Sequence, residues 1–161
     1  MSAARRRFSW GFSHRLLFGT LALIAALALS GVASAKTSSY SGKFKTQPSS
    51  FMRIVLKVNS KGKPTEVLTL NYSNLSLLCK GGLAEGKEIP GQAGNLSEVP
   101  VKRDGNAYKF QEETYNGRVK VSVTGTISSD GKRITGLVSH RDPTDGTVVC
   151  SVNGLAYSAK R

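Results

Sequence analysis

The sequence predicts an all-β fold, either an antiparallel β-sandwich or a small β-barrel of about 8–10 strands. The clearest strand is Arg118–Ser128, in which Val119, Val121 and Val123 alternate with polar residues, as in a strand with one buried face. Glycine, asparagine and aspartate turns separate such segments, and helical periodicity is absent after the N-terminal leader. These features predict an antiparallel meander with Arg118–Ser128 near its middle.

Residues 1–35 have the pattern of a secretory signal peptide. Arginines precede an apolar run, Leu16–Leu29, and Ala33-Ser34-Ala35 supplies a cleavage site of small residues. The apolar run of about 14 residues is shorter than the roughly 20 that a membrane-spanning helix needs. We therefore expect export with cleavage after Ala35, and attachment to a membrane only through an uncleaved leader.

Residues 36–161 are expected to form a single basic domain. Four of the 23 basic residues lie in the leader, so the mature portion has 19 basic and 10 acidic residues and a net charge of +9. A charge of this sign favours anionic partners, either a cell-envelope polymer or a lipid surface. No sequence motif points to a cofactor.

The two cysteines, Cys79 and Cys150, both lie in the mature portion. In an exported chain an even pair predicts a disulfide bond. A four-ligand zinc site is disfavoured because His140 is the one histidine after the leader, and no other metal site is expected.

The first half of the domain is expected to contain four strands, at Tyr40–Lys45, Phe51–Asn59, Glu66–Tyr72 and Leu75–Cys79. In the second of these strands Met52 and Ile54 face the core. In the third, Leu68 and Leu70 are expected to share the core face, and Asn74 to mark a turn.

Lys80–Pro100 is predicted to be a long connection between the two halves. Glycine and proline crowd this segment and its apolar residues are isolated, with a short strand around Ile89 as the alternative. A loop of this kind is also what an inhibitor of a secreted enzyme would insert into its target.

The second half is expected to contain Arg118–Ser128 and four further strands, at Val99–Lys102, Ala107–Thr114, Arg133–Arg141 and Thr147–Ala159. Asn116-Gly117 predicts a tight hairpin turn. Asp142–Gly146 predicts a second turn, and Gly154 indicates a bulge in the last strand.

Catalytic candidates are few. His140 stands beside a predicted hairpin loop with Asp142 and Asp145, which would make it a base with a nearby carboxylate. Glu112 is a candidate acid, but its neighbour Glu113 points to the opposite face of a strand, so the two cannot act on one bond. A secreted hydrolase is therefore the alternative function, and a non-enzymatic domain is favoured.

Basic side chains are the most suggestive surface feature. Arg53 and Lys57 share the polar face of one strand, and Arg118 and Lys120 share that of another. If the two strands were neighbours, these cations would form a stripe that attracts anionic polymers or lipid. Alternatively, the lysines deter edge pairing and maintain solubility. Nucleic acid is disfavoured because Phe51 and other aromatic residues are expected inside the fold.

Four local patterns together resemble small exported bacterial β proteins that have a single disulfide and no known function. These patterns are Tyr40–Lys43, the valine-rich strand that ends in Gly125, the Gly131–Gly136 hairpin and the terminal Cys150-x-x-x-Gly154. The resemblance covers most of residues 36–161 and implies an all-β fold, but it carries over no catalytic or binding residue. Small periplasmic lysozyme inhibitors are also similar, although their cationic target would repel a basic protein.

Taken together, these patterns predict an exported, non-enzymatic envelope or extracellular binding module with anionic partners. The alternatives are a secreted hydrolase and an inhibitor of a secreted enzyme.

Overall fold

The computed structural model describes residues 36–144 and 146–161, which form one antiparallel sheet of nine strands and confirm the all-β prediction. The expected signal peptide, residues 1–35, lies outside the described residues. No helix in the described part of the chain is long and apolar enough to cross a membrane. The strands are β1 (Lys36–Phe44), β2 (Phe51–Val58), β3 (Pro64–Lys80), β4 (Glu88–Pro100), β5 (Lys102–Asp104), β6 (Ala107–Asn116), β7 (Val119–Ile127), β8 (Arg133–Pro143) and β9 (Val149–Lys160).

The sheet closes on itself through β3. The strand order is β4-β3-β2-β1-β9-β8-β7-β6-β5, and the end of β3 pairs in addition with the start of β9. Strands β1, β2, β3 and β9 therefore form a small closed barrel, and the other strands extend outside it. The closing ladder pairs Leu78–Lys80 with Val149–Ser151.

A disulfide bond lies at the centre of this closing ladder. Cys79 and Cys150 are directly opposite each other in the register, and their sulfurs are bonded across a separation of 71 residues. The predicted pairing is confirmed, and it is compatible with an extracytoplasmic location. A crosslink over such a loop stabilises the fold by about 4 kcal/mol in the chain-entropy model.

Strand β3 reaches β9 because it bends at Asn74. This residue has a φ of 64° and interrupts the register between Tyr72 and Leu75, so both of these side chains face the core. The left-handed conformation is one that asparagine tolerates better than most residues. Asn74 was expected to mark a turn between two strands; it forms instead a bulge within one strand of 17 residues.

The loop between β1 and β2 holds the bend in place. The Gln47 side chain acts as a peptide group would, since its Nε2 donates to the Ser76 carbonyl and its Oε1 accepts from the Ser76 amide, each at 2.9 Å. Ser50, which is 1% exposed, donates its hydroxyl to the Asn74 carbonyl at 2.6 Å. The backbone groups freed by the bulge are thereby satisfied.

A second bulge changes which residues of β3 reach the core. Leu56 pairs with Val67 whereas Val55 pairs with Thr69, so Leu68 is the extra residue. Val67 is consequently fully buried and Leu68 is only half-buried. The expectation that Leu68 shares the core face with Leu70 is wrong, because a bulge shifts the strand's alternation by one residue.

The expected connection over Lys80–Pro100 is instead mostly strand. After a single 3₁₀ turn at Gly82–Ala84, β4 runs for 13 residues against β3. Strand β4 is at the end of the strand order, where proline and glycine are tolerated because one edge needs no hydrogen-bonding partner. Only the segment between Lys80 and Glu88 remains as a loop.

Strand β7 lies mid-sheet between β6 and β8, as its alternation predicts, with Val121, Val123 and Ile127 buried. Asn116 pairs with Val119, which leaves Gly117 and Arg118 as a two-residue hairpin loop with positive φ at the glycine.

Aromatic rings fill the space that glycines leave in the core. A Cβ on Gly125 would lie 2.1 Å from Phe110 Cζ, and one on Gly136 would lie 2.7 Å from the Tyr157 hydroxyl. Each ring packs on the glycine directly opposite it in the register. The absence of a side chain at these positions therefore allows the core to close over large rings.

Removing the disulfide tests its contribution to closure. The Cys79→Ala, Cys150→Ala double variant should lose about 4 kcal/mol of unfolding free energy because the unfolded chain regains its loop freedom. Urea unfolding of the oxidised wild type and the variant measures this difference. Ser151→Ala, on the same ladder, serves as control, and a loss below about 1 kcal/mol would contradict the prediction.

Truncating Gln47 tests whether its side chain stabilises the bend in β3. Gln47→Ala should cost about 1–3 kcal/mol because it leaves the Ser76 backbone groups unpaired at a partly buried site. Thermal unfolding compares this variant with Gln92→Ala on edge strand β4. Equal stabilities of the two variants would show that the side chain does not hold the bend.

Candidate anion-binding surface

Four cations from separate parts of the sequence lie close together on the outer face of the sheet. Arg133 is opposite Lys160, Lys160 is opposite Ser41, and Ser41 is opposite Arg53. Lys43 lies two residues along β1 from Ser41 and points to the same outer side. We call Lys43, Arg53, Arg133 and Lys160 the basic patch.

The basic patch crosses four neighbouring strands, β8, β9, β1 and β2. With a strand spacing of about 4.8 Å, its ends lie about 14 Å apart. All four side chains are exposed, and none forms a salt bridge with a carboxylate of the described residues. The patch therefore presents uncompensated positive charge along a line across the strands.

The direct opposition of Arg133 and Lys160 is unfavourable by itself. Like charges at facing positions of an antiparallel pair repel each other and destabilise the pairing. An anion that binds between the two side chains would remove that repulsion, so the arrangement favours anion binding.

An exposed aromatic ring adjoins the basic patch. Phe51 is directly opposite Lys43 and is 55% exposed. The sequence-based expectation that Phe51 is internal is wrong, because the residue begins β2 on the outer face, in phase with Arg53. The surface thus combines cations with one ring.

The four basic residues that the sequence singled out do not form one stripe. Strands β2 and β7 are separated by β1, β9 and β8, so the condition that they be neighbours is not met. Lys57 pairs with Glu66 at 3.3 Å, and Lys120 pairs with Glu113 at 2.9 Å, while Arg118 lies in the β6–β7 hairpin loop. Of the four, Arg53 alone belongs to the basic patch.

Ion pairing also shifts the pKa values of the paired groups. The hydrogen bond from Lys120 lowers the pKa of the Glu113 carboxyl, and the same bond raises the pKa of Lys120. A third pair joins Lys109 and Asp104, where the lysine lowers the pKa of the aspartate. The positive charges of these lysines are therefore partly compensated locally, unlike those of the basic patch.

His140 is a core residue. It lies within β8, is 3% exposed, and its Nδ1 is 2.9 Å from the hydroxyl of buried Tyr72. Its Nε2 is buried and has no hydrogen-bonding partner among the described residues. Burial lowers the pKa of His140, although the charge of Asp142 raises it in part, so the ring is held neutral.

The other catalytic candidates do not assemble around His140. Asp142 follows it on β8, but no hydrogen bond joins the two side chains. Glu112 lies on β6, two strands away, facing the core side of the sheet next to Phe110. Asp145 lies outside the described residues. Within the described chain, no group of three or more histidine, cysteine or acidic side chains is placed to hold a metal ion.

Comparison with known proteins identifies no relative. No family model matches the sequence, and neither a curated protein nor a solved structure matches it significantly. The resemblance to small exported β proteins therefore depends on turn and core positions alone.

A pH titration of stability tests the burial of His140. As pH falls below about 6.5, the unfolded chain binds a proton that the buried ring resists, so stability should fall, by at most about 1.4 kcal/mol per pH unit for one proton. His140→Gln should lack this component. Urea unfolding at a series of pH values measures both proteins, and the difference between them cancels the carboxyl groups that they share. Parallel profiles would contradict the assignment.

Proposed function

We propose that this chain is an exported binding module that holds an anionic polymer of the cell envelope on its basic patch. The observation that carries the proposal is the alignment of four exposed cations, without described carboxylate partners, across β8, β9, β1 and β2. The net charge and the disulfide support an anionic partner and an oxidising destination.

A flexible polymer suits this surface better than a flat lipid bilayer. Three of the four strands belong to the closed barrel, whose outer face is convex. A flat surface touches a convex face at few points, whereas a chain can follow it and contact each cation in turn. Phe51 adds an apolar contact at the Lys43 end of the patch.

A binding role is also favoured over a hydrolytic one by the environment of the sole described histidine. His140 and Tyr72 are both buried and bonded to each other, and no described acid or nucleophile bonds to either. A general base needs to reach a substrate proton within hydrogen-bond distance.

Charge removal within the basic patch tests the proposal. The Arg53→Ala, Lys160→Ala double variant should weaken binding to immobilised polyuronate or polyphosphate. It should also reduce the slope of log affinity against log salt concentration by about 1.5, because two cation–anion contacts are lost. Affinity measured at several salt concentrations gives both quantities.

A matched control separates the patch from net charge. The Lys57→Ala, Lys109→Ala variant removes the same charge, but from lysines already paired with Glu66 and Asp104, so it should change the slope less. Equal losses in the two variants would contradict a specific patch. Preferential binding to anionic vesicles or to single-stranded DNA would contradict a cell-envelope polymer as the partner.

A further inference from the structure

A cleft of about 290 Å³ lies on the outer face near the other end of β8. It is lined by side chains from four adjacent strands, namely Glu113, Lys120, Ser122, Ser139, Arg141 and Asn153. Arg141 is eight residues from Arg133, or about 27 Å along the strand, so the cleft is separate from the basic patch.

The cleft contains one ion pair and, beside it, one cation that forms no salt bridge with a described carboxylate. Lys120 is bonded to Glu113, whereas Arg141, directly opposite Lys120, is exposed and has no salt bridge to a described carboxylate. A guanidinium at such a site can bind a carboxylate or a phosphate through two parallel hydrogen bonds.

A bulge in β9 brings Asn153 to the cleft. Val138 pairs with Leu155 and His140 pairs with Val152, so Asn153 and Gly154 together oppose Ser139. Gly154 has a φ of 60°, and its amide donates to Ser139 Oγ at 2.9 Å. A bulge changes the direction in which a side chain points. Here it brings the exposed side-chain amide of Asn153 to the cleft that Ser122 and Ser139 also line. These two serines are directly opposite each other in the register of β7 and β8.

A fixed aromatic ring stands beside the cleft. Tyr115 is 63% exposed, and its hydroxyl donates to Glu113 Oε1 at 3.0 Å. Lys120 Nζ lies 5.5 Å from the centroid of the same ring. Two contacts thus hold an exposed ring against Glu113 and Lys120, which both line the cleft.

We propose that this cleft binds a sugar residue that carries an acidic group, either a carboxylate or a phosphate. Arg141 binds the acidic group, Ser122 and Asn153 bind ring hydroxyls, and Tyr115 packs against the apolar face of the ring. The proposal goes beyond the proposed function, because it concerns a separate surface and would hold even if the basic patch bound no polymer.

Binding of four small probes to the isotopically labelled protein, followed by NMR, tests this proposal. Glucuronate and glucose 6-phosphate share the acidic sugar but differ in the acid, while glucose lacks the charge and inorganic phosphate lacks the ring. At least one acidic sugar should shift the amide signals of Ser122, Ser139 and Gly154, and it should bind at least about tenfold more tightly than either simpler probe. Preferential binding of glucuronate would identify the acidic group as a carboxylate, and preferential binding of glucose 6-phosphate would identify it as a phosphate.

Three variants locate the site. Arg141→Ala should weaken binding of the acidic sugar about tenfold, whereas Arg133→Ala, which removes a cation from the same strand, should not. Tyr115→Ala should weaken it as well, and Tyr115→Phe, which keeps the ring, should retain it. The proposal is overturned if glucose or phosphate binds as tightly, if neither acidic sugar binds, or if Arg141→Ala binds like the wild type.

Discussion

The closing ladder between β3 and β9 is the constraint on which the rest of the structure depends. Three residue pairs with a disulfide at their centre convert an open run of strands into a barrel. The ladder forms because β3 bends at Asn74, and the bend is stable because the Gln47 side chain replaces a missing strand partner. The conformation of Asn74 and the hydrogen bonds of Gln47 thus determine whether the barrel closes.

The pairing of β1 with β9 also determines what the outer surface presents. Once β9, β1 and β2 are neighbours in the barrel wall, residues from both ends of the domain come into one row. Arg53, Arg133 and Lys160 are far apart in sequence, and the register makes them neighbours. Strands β8 and β9 continue from the basic patch into the cleft at Arg141, where a bulge in β9 supplies a polar group that regular pairing would not.

The sequence predicts those features that depend on local alternation and on composition. It predicts the all-β class, the mid-sheet position of β7 and the disulfide, because each follows from spacing two residues apart or from cysteine count. The sequence pattern places Leu68 on the core face and Asn74 in a turn, and both assignments are wrong because each residue lies in a bulge. A bulge shifts the alternation of a strand by one residue, and no residue type marks its position. The sequence pattern also takes β4 for a loop, because an edge strand tolerates proline and glycine. The basic patch depends on long-range register, which alternation within single strands does not contain.

The central claim, that the pairing of β1 with β9 aligns four cations into one site, is tested most directly by mapping a polyanion on the oxidised protein. NMR signals of backbone amides would be followed while polyphosphate is added at moderate salt concentration. The account predicts shifts concentrated at Lys43, Arg53, Arg133 and Lys160 and at Ser41 between them. Shifts scattered over the exposed lysines, or confined to surfaces away from these residues, would contradict it.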